Sequence, residues 1–144
     1  EDKPSEILID SIGLGAGVLD RCLELGLPVR GVNVGESPAI NDGKYTRLRD
    51  ELWWRCREWF AARDVCIAED PRLIGELTSV QYGFQSNGKL RVEDKDSLRK
   101  RGLKSPDVAD ALVLTFAGGL DRPAREQRYE RRTKRSGERS WMSC

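Results

Sequence analysis

The chain has 144 residues and a mass of 16.3 kDa, enough for one domain that buries about two thirds of its unfolded surface. Hydrophobic residues make up 38% and charged residues 34%, and 25 Lys and Arg balance 24 Asp and Glu, so overall charge names no partner. The sequence has no histidine; this excludes Ser-His-Asp and Cys-His catalysis and His-containing zinc sites, and leaves acid–base or metal chemistry to carboxylates, Lys, Tyr or water.

Glu6 to Asp10 is a short apolar run that reads as a buried strand. Gly13, Gly15 and Gly17 follow as a glycine-rich turn. Val18, Leu19, Cys22 and Leu23 recur at helical spacing, and Gly26 is the expected stop. With the β-branched run Val29 to Val34, these segments predict a strand–helix–strand unit with a right-handed crossover. Gly35 to Tyr45 reads as a loop, and Tyr45 to Ala62 as a long amphipathic helix with Leu48, Leu52, Cys56, Trp59 and Phe60 on one face. The Trp53–Trp54 pair on that helix fits either base stacking or the core.

Pro71 permits a second helix start, with Leu73, Ile74 and Leu77 as its apolar face. Val80 to Phe84 alternates like a strand, Asn87-Gly88 is a hairpin turn and Leu90 to Val92 returns. Asp94 to Arg101 reads as a short charged helix. Ser105 fits the N-cap and Pro106 the first position of a last helix, which runs through Leu112, Val113 and Phe116 to Gly118-Gly119. Residues 1–120 form the expected domain. Residues 121–144 hold eight basic and four acidic residues, net +4, against −3 for the rest. With almost no aliphatic residues, that stretch reads as a flexible tail: either a binder of phosphate or of a protein partner, or a solvated terminus.

Cys22, Cys56, Cys66 and Cys144 form no C-x-x-C pair, so neither a zinc site nor a disulfide scaffold is expected. Cys22 and Cys56 are expected as small core residues. No apolar run approaches the ~20 residues a bilayer span needs. The acidic Glu1–Glu6 stretch lacks a signal-peptide pattern, so a cytoplasmic protein is expected.

Asp10 stands at the end of a hydrophobic strand, where open α/β sheets bind ligands. It suits either a metal ligand or a turn-forming Asp. Asp107 and Asp110 are three apart, so they share a helix face. They suit either a divalent metal such as Mg²⁺ or Mn²⁺, together with Asp10, or the dipole of the helix start. Gly13-Leu-Gly-Ala-Gly17 fits either a phosphate cradle or a tight turn; it lacks a full G-x-G-x-x-G. Lys95, Arg99, Lys100, Arg101 and Lys104 lead into the Asp107 helix and fit either a polyanionic substrate or a solvated face.

The segment Ile7-Leu-Ile-Asp-Ser-Ile-Gly-Leu-Gly-Ala-Gly-Val-Leu-Asp20 resembles the second conserved block of the nuclease domain of tailed-phage terminase large subunits. Ser105-Pro-Asp-Val-Ala-Asp-Ala-Leu-Val-Leu-Thr-Phe-Ala117 resembles that domain's closing helix. Tyr45…Arg49-Asp-Glu-Leu-Trp-Trp54 and Lys95…Arg101-Gly102 match in order and spacing. The resemblance covers residues 6–120. It implies an RNase H-like α/β fold, a mixed sheet flanked by helices that lacks the first strands of the full domain. It also implies a two-ion Mg²⁺ or Mn²⁺ site on Asp10, Asp107 and Asp110, and cleavage of double-stranded DNA. The implied partners are the portal protein, the terminase small subunit and the ATPase domain of the large subunit, in the cytoplasm of the bacterial host. The family's first acid lies upstream of the Asp10 strand, and only Glu1 to Ser5 precede that strand here. Weak or no cleavage by this chain alone is therefore expected. The competing expectations are a catalytically incomplete prophage remnant or docking module that binds DNA or portal protein, and a nucleotide-binding domain using the glycine turn.

Overall fold

Strand β1 (Ile7–Asp10), helix α1 (Leu14–Glu24) and strand β2 (Val29–Val32) form the crossover unit the sequence predicts. The structure is a computed structural model, and it describes residues 3–63 and 65–118. β1 and β2 pair in parallel, with Ile7 opposite Val29 and Asp10 opposite Val32. The glycine segment departs from expectation. Only Gly13, at φ +62°, turns the chain, while Gly15 and Gly17 lie inside α1. Gly15 is required by close approach: a Cβ there would lie 1.7 Å from the Asp10 carbonyl oxygen. Gly26, at φ +70°, ends α1 and donates its N–H to the Leu23 carbonyl.

None of the side chains of α1 is buried. Cys22, expected in the core, is only half-buried, on the same face of α1 as the half-buried Leu19. Leu14, Val18 and Leu23 stand exposed.

The remaining elements enclose the main core. Helix α2 (Leu48–Ala61) buries Leu48, Leu52, Trp53 and Cys56, and burial pushes the Cys56 thiol up to about 11. Trp59 and Phe60 are half-buried. The helix starts later than the periodicity suggests. Tyr45 instead forms a bridge with Leu90, and Asp50 accepts the N–H groups of Arg47 and Val92. Glu51, also buried, accepts the amides of Ala39, Ile40 and Asn41 and so holds the preceding loop against the helix.

Helix α3 (Pro71–Ser79) starts as predicted, with Asp70 accepting from the Arg72 and Leu73 amides. Strands β3 (Tyr82–Phe84) and β4 (Leu90–Val92) form an antiparallel hairpin turned by Gly88 at φ +77°. Leu90 and Val92 of β4 enter the core, while all of β3 is exposed. Helix α4 (Lys95–Lys100) is capped by Asp94, which accepts the Ser97 N–H. Helix α5 (Asp107–Leu114) runs into a 3-10 turn, Thr115–Ala117. Among the described residues the strands thus form two separate pairs, one parallel and one antiparallel. No described helix is long and apolar enough to cross a membrane. Gly119 and the basic tail lie outside the described residues.

Candidate active site

β1 delivers Asp10 to its carboxyl end, where the side chain accepts the Ile12 N–H at 3.1 Å. The first turn of α5 presents Asp107 and Asp110. These three carboxylates, remote in sequence, line one cleft of about 540 Å³. Its apolar lining includes Ile12, Val34, Leu52 and Val113, and two cations, Arg49 of α2 and Lys95 of α4, complete it.

The two acids of α5 are held differently. Asp110 Oδ1 accepts from Arg49 Nη2 at 3.2 Å and from the Trp53 indole N–H at 3.0 Å. Asp107 Oδ1 accepts from the Ser105 hydroxyl at 2.6 Å. Lys95 Nζ spans both, 3.6 Å from Asp107 Oδ1 and 3.8 Å from Asp110 Oδ2. Asp107 is the more open of the two, with 63% of its side chain exposed against 26% for Asp110. The Ser105 hydroxyl, and next the Lys95 ammonium, hold the Asp107 carboxyl below its ordinary value.

Ser105 therefore serves Asp107 and is not the predicted N-cap; Pro106 takes that position. The amides of Val108 and Ala109 are satisfied from another element, both donating to Glu76 Oε2 of α3 at 2.8 and 2.9 Å. Arg72 pairs with the other oxygen of Glu76.

Of the basic residues picked out in sequence, Lys95 alone lines the cleft. Arg99 pairs with Asp96, and Arg101 with Glu93 and the Ser79 carbonyl. Lys100 and Lys104 are exposed and do not line it. Sequence reasoning assigned no site role to Arg49 or Glu76, and offered Trp53 for base stacking or the core rather than as a partner of Asp110. For Arg49 and Trp53 a signal existed: they are four apart on a helix, so both reach the same neighbour.

Carboxylate oxygens are the hard donors that Mg²⁺ and Mn²⁺ prefer. The donors fit such an ion in kind. In number they fall short, because no group of three or more His, Cys, Asp or Glu among the described residues is gathered closely enough to hold a metal.

The mixed α/β fold of this chain is shared with solved structures of terminase nuclease domains. The chain is similar to the nuclease domain of the large terminase subunit of bacterial virus Sf6, with a TM-score of 0.64 and 24% identity over 78% of this chain and 64% of that chain. A point-mutant form of that domain, with manganese and beta-thujaplicinol, gives 0.65 and 23% over 78% and 64%. The mutant with calcium gives 0.63 and 23% over the same shares. This chain thus spans just under two thirds of the length of the structures it matches, and at this identity the likeness establishes the fold. No family model matches the sequence, and no curated protein does.

Proposed function

We propose that this chain is the metal-dependent endonuclease part of a phage DNA-packaging terminase large subunit, acting on double-stranded DNA by two-metal phosphodiester hydrolysis. The observation that supports this reading is the convergence of Asp10 with Asp107 and Asp110 on one cleft. Asp10, Asp107 and Asp110 would hold Mg²⁺ or Mn²⁺. Bound there, the ions supply an activated water and neutralise the leaving oxygen. Arg49 and Trp53 fix Asp110 in one orientation. Ser105 keeps Asp107 ionised into acid conditions. Lys95 balances the two acids when no other cation is near. Lys95, Arg99, Lys100, Arg101 and Lys104 contact substrate phosphates along the approach to the cleft. The nuclease unit is residues 1–120, followed by a basic tail, 121–144. The portal protein, the terminase small subunit and an ATPase domain are its partners in the bacterial cytoplasm.

A plasmid cleavage assay with Mn²⁺ tests this. The 144-residue chain cuts weakly, and Asp10→Ala and Asp107→Ala each abolish that cutting. Cleavage that survives both substitutions overturns the assignment. Among the described residues no group of three or more acids is gathered to hold a metal, which favours a second reading, a non-catalytic module binding DNA or portal protein. In that case the chain takes up no Mn²⁺ in a calorimetric titration and cuts no DNA.

A further inference from the structure

The cleft uses one flank of α2; a neighbouring flank carries Trp54, where a strip of aromatic rings begins. Tyr82 of β3 meets Trp54 edge to face at 5.2 Å, and Phe84 meets Tyr82 in the same manner at 6.3 Å. Among the described residues β3 is paired on one edge only. Its rings stand in solvent, Tyr82 at 50% and Phe84 at 71% exposure. The exposed apolar side chains of α1 are aliphatic, whereas this strip is aromatic and flanked by cations. The Arg57 guanidinium lies 4.6 Å and the Lys44 ammonium 5.2 Å from the Trp54 ring centre. One acid, Glu58, accepts the Trp54 indole N–H and lies 3.9 Å from Lys44. A shallow groove of about 430 Å³ follows β3, lined by Tyr82, Phe84 and the amides of Gln81 and Gln85. The acids that also line it, Glu93 and Asp94, are paired with Arg101 and Arg91.

We propose that the Trp54–Tyr82–Phe84 strip, with Lys44 and Arg57, binds single-stranded nucleic acid. Exposed rings offer faces on which unpaired bases stack, and adjacent cations meet the phosphates between them. A duplex keeps its base faces inside the stack, so this surface favours the unpaired form. An acidic peptide would answer the cations and leave the rings without a partner. The proposal stands apart from the cleft and holds whether or not the cleft cuts DNA.

Fluorescence anisotropy of a labelled oligo-dT of about 12 nucleotides, titrated with the 144-residue chain in EDTA, tests it. The wild-type chain binds oligo-dT more tightly than a blunt duplex of the same length. Tyr82→Ala/Phe84→Ala lowers the oligo-dT affinity about tenfold or more. Phe84→Leu, which keeps apolar bulk and removes the ring, also weakens binding. Leu14→Ala, at an exposed position of α1, leaves it unchanged. Both β3 side chains are solvent-exposed, and circular dichroism verifies that the variants fold. Equal affinity in wild type and double variant overturns the proposal, as does the absence of binding to the wild-type chain. Loss of binding in Leu14→Ala overturns it too, by locating the strand on α1. So does a concentration-dependent dimer that Phe84→Leu dissolves, which would make the strip a contact between copies.

Discussion

Helices α1 and α2 are both amphipathic in sequence, yet α1 buries none of its side chains while α2 buries six residues, two of them acids. Around α2, charged groups are tied to backbone on other elements: Asp50 to Val92, Glu51 to the loop at 39–41, and Arg49 to the Glu93 carbonyl. Around α1, among the described residues, the ties are local, such as the Arg21–Glu24 pair and the turn of Asp10 onto Ile12. The two regions are joined at Arg30 of β2, which bonds both Glu6 and the Ala117 carbonyl. The proposed site straddles this boundary: Asp10 comes from the thinly packed side, Asp107 and Asp110 from the densely packed one. The geometry of the proposed site therefore depends on how firmly β1 and α1 are held.

The largest expected effect sets one region against the other. Leu52 is fully buried, whereas Leu14 is 95% exposed. Leu52→Ala should destabilise the chain by about 2–5 kcal/mol in urea denaturation. Leu14→Ala should change stability by no more than about 0.5 kcal/mol. A comparable loss at Leu14 would mean that α1 is covered in solution.

Asp50→Ala follows, at about 1–3 kcal/mol, because it leaves the Val92 N–H without an acceptor beside the core. Burial pushes the Asp50 carboxyl above its ordinary value, outweighing its backbone donors and Arg49. A carboxyl raised on folding contributes stability that is present in acid, below its unfolded value, and is lost as pH rises through the folded value. The deficit of Asp50→Ala relative to wild type should therefore be largest in acid and narrow towards neutrality. A deficit that grows with pH would reverse the assignment.

Glu76→Ala tests the tie between α3 and α5. It removes the acceptor for two amides at the start of α5, which has no side-chain cap of its own. Loss of a cap costs about 0.5–2 kcal/mol, and hydrogen exchange should quicken at Val108 and Ala109 before it does at Leu52.

The order of elements is legible in the sequence because it rests on local periodicity and turn residues: the β1–α1–β2 unit, the Asn87-Gly88 hairpin and the short charged helix after Asp94 all fall where short-range chemistry puts them. What misled was tertiary. Gly15 and Gly17 look like a turn, but Gly15 is there because the helix backs onto the Asp10 carbonyl. Ser105 carries a capping signature, but Glu76, far upstream, already takes the amides of α5. Cys22 has the spacing of a core residue, but among the described residues α1 accompanies a pair of only two strands and buries none of its side chains. In the candidate site, Asp10 and the α5 acids are visible as strand-end and helix-start carboxylates. The partners that orient them, Arg49 and Trp53, act across the fold, where spacing gives only their shared face.

The smallest expected effect concerns Asp107, the more open of the two α5 acids in the cleft. Its carboxyl is held below the ordinary value first by the Ser105 hydroxyl and then by Lys95. A carboxyl depressed on folding contributes stability present above its unfolded value and lost as pH falls through the folded one. Ser105→Ala removes the leading cause and leaves the second. The Asp107 carboxyl should then titrate higher, closer to but still below the ordinary value, as followed by carbon-13 NMR of the side chain. If Asp107 is unmoved by Ser105→Ala, Lys95 alone holds its charge. Lys95→Met would then have to carry the whole shift.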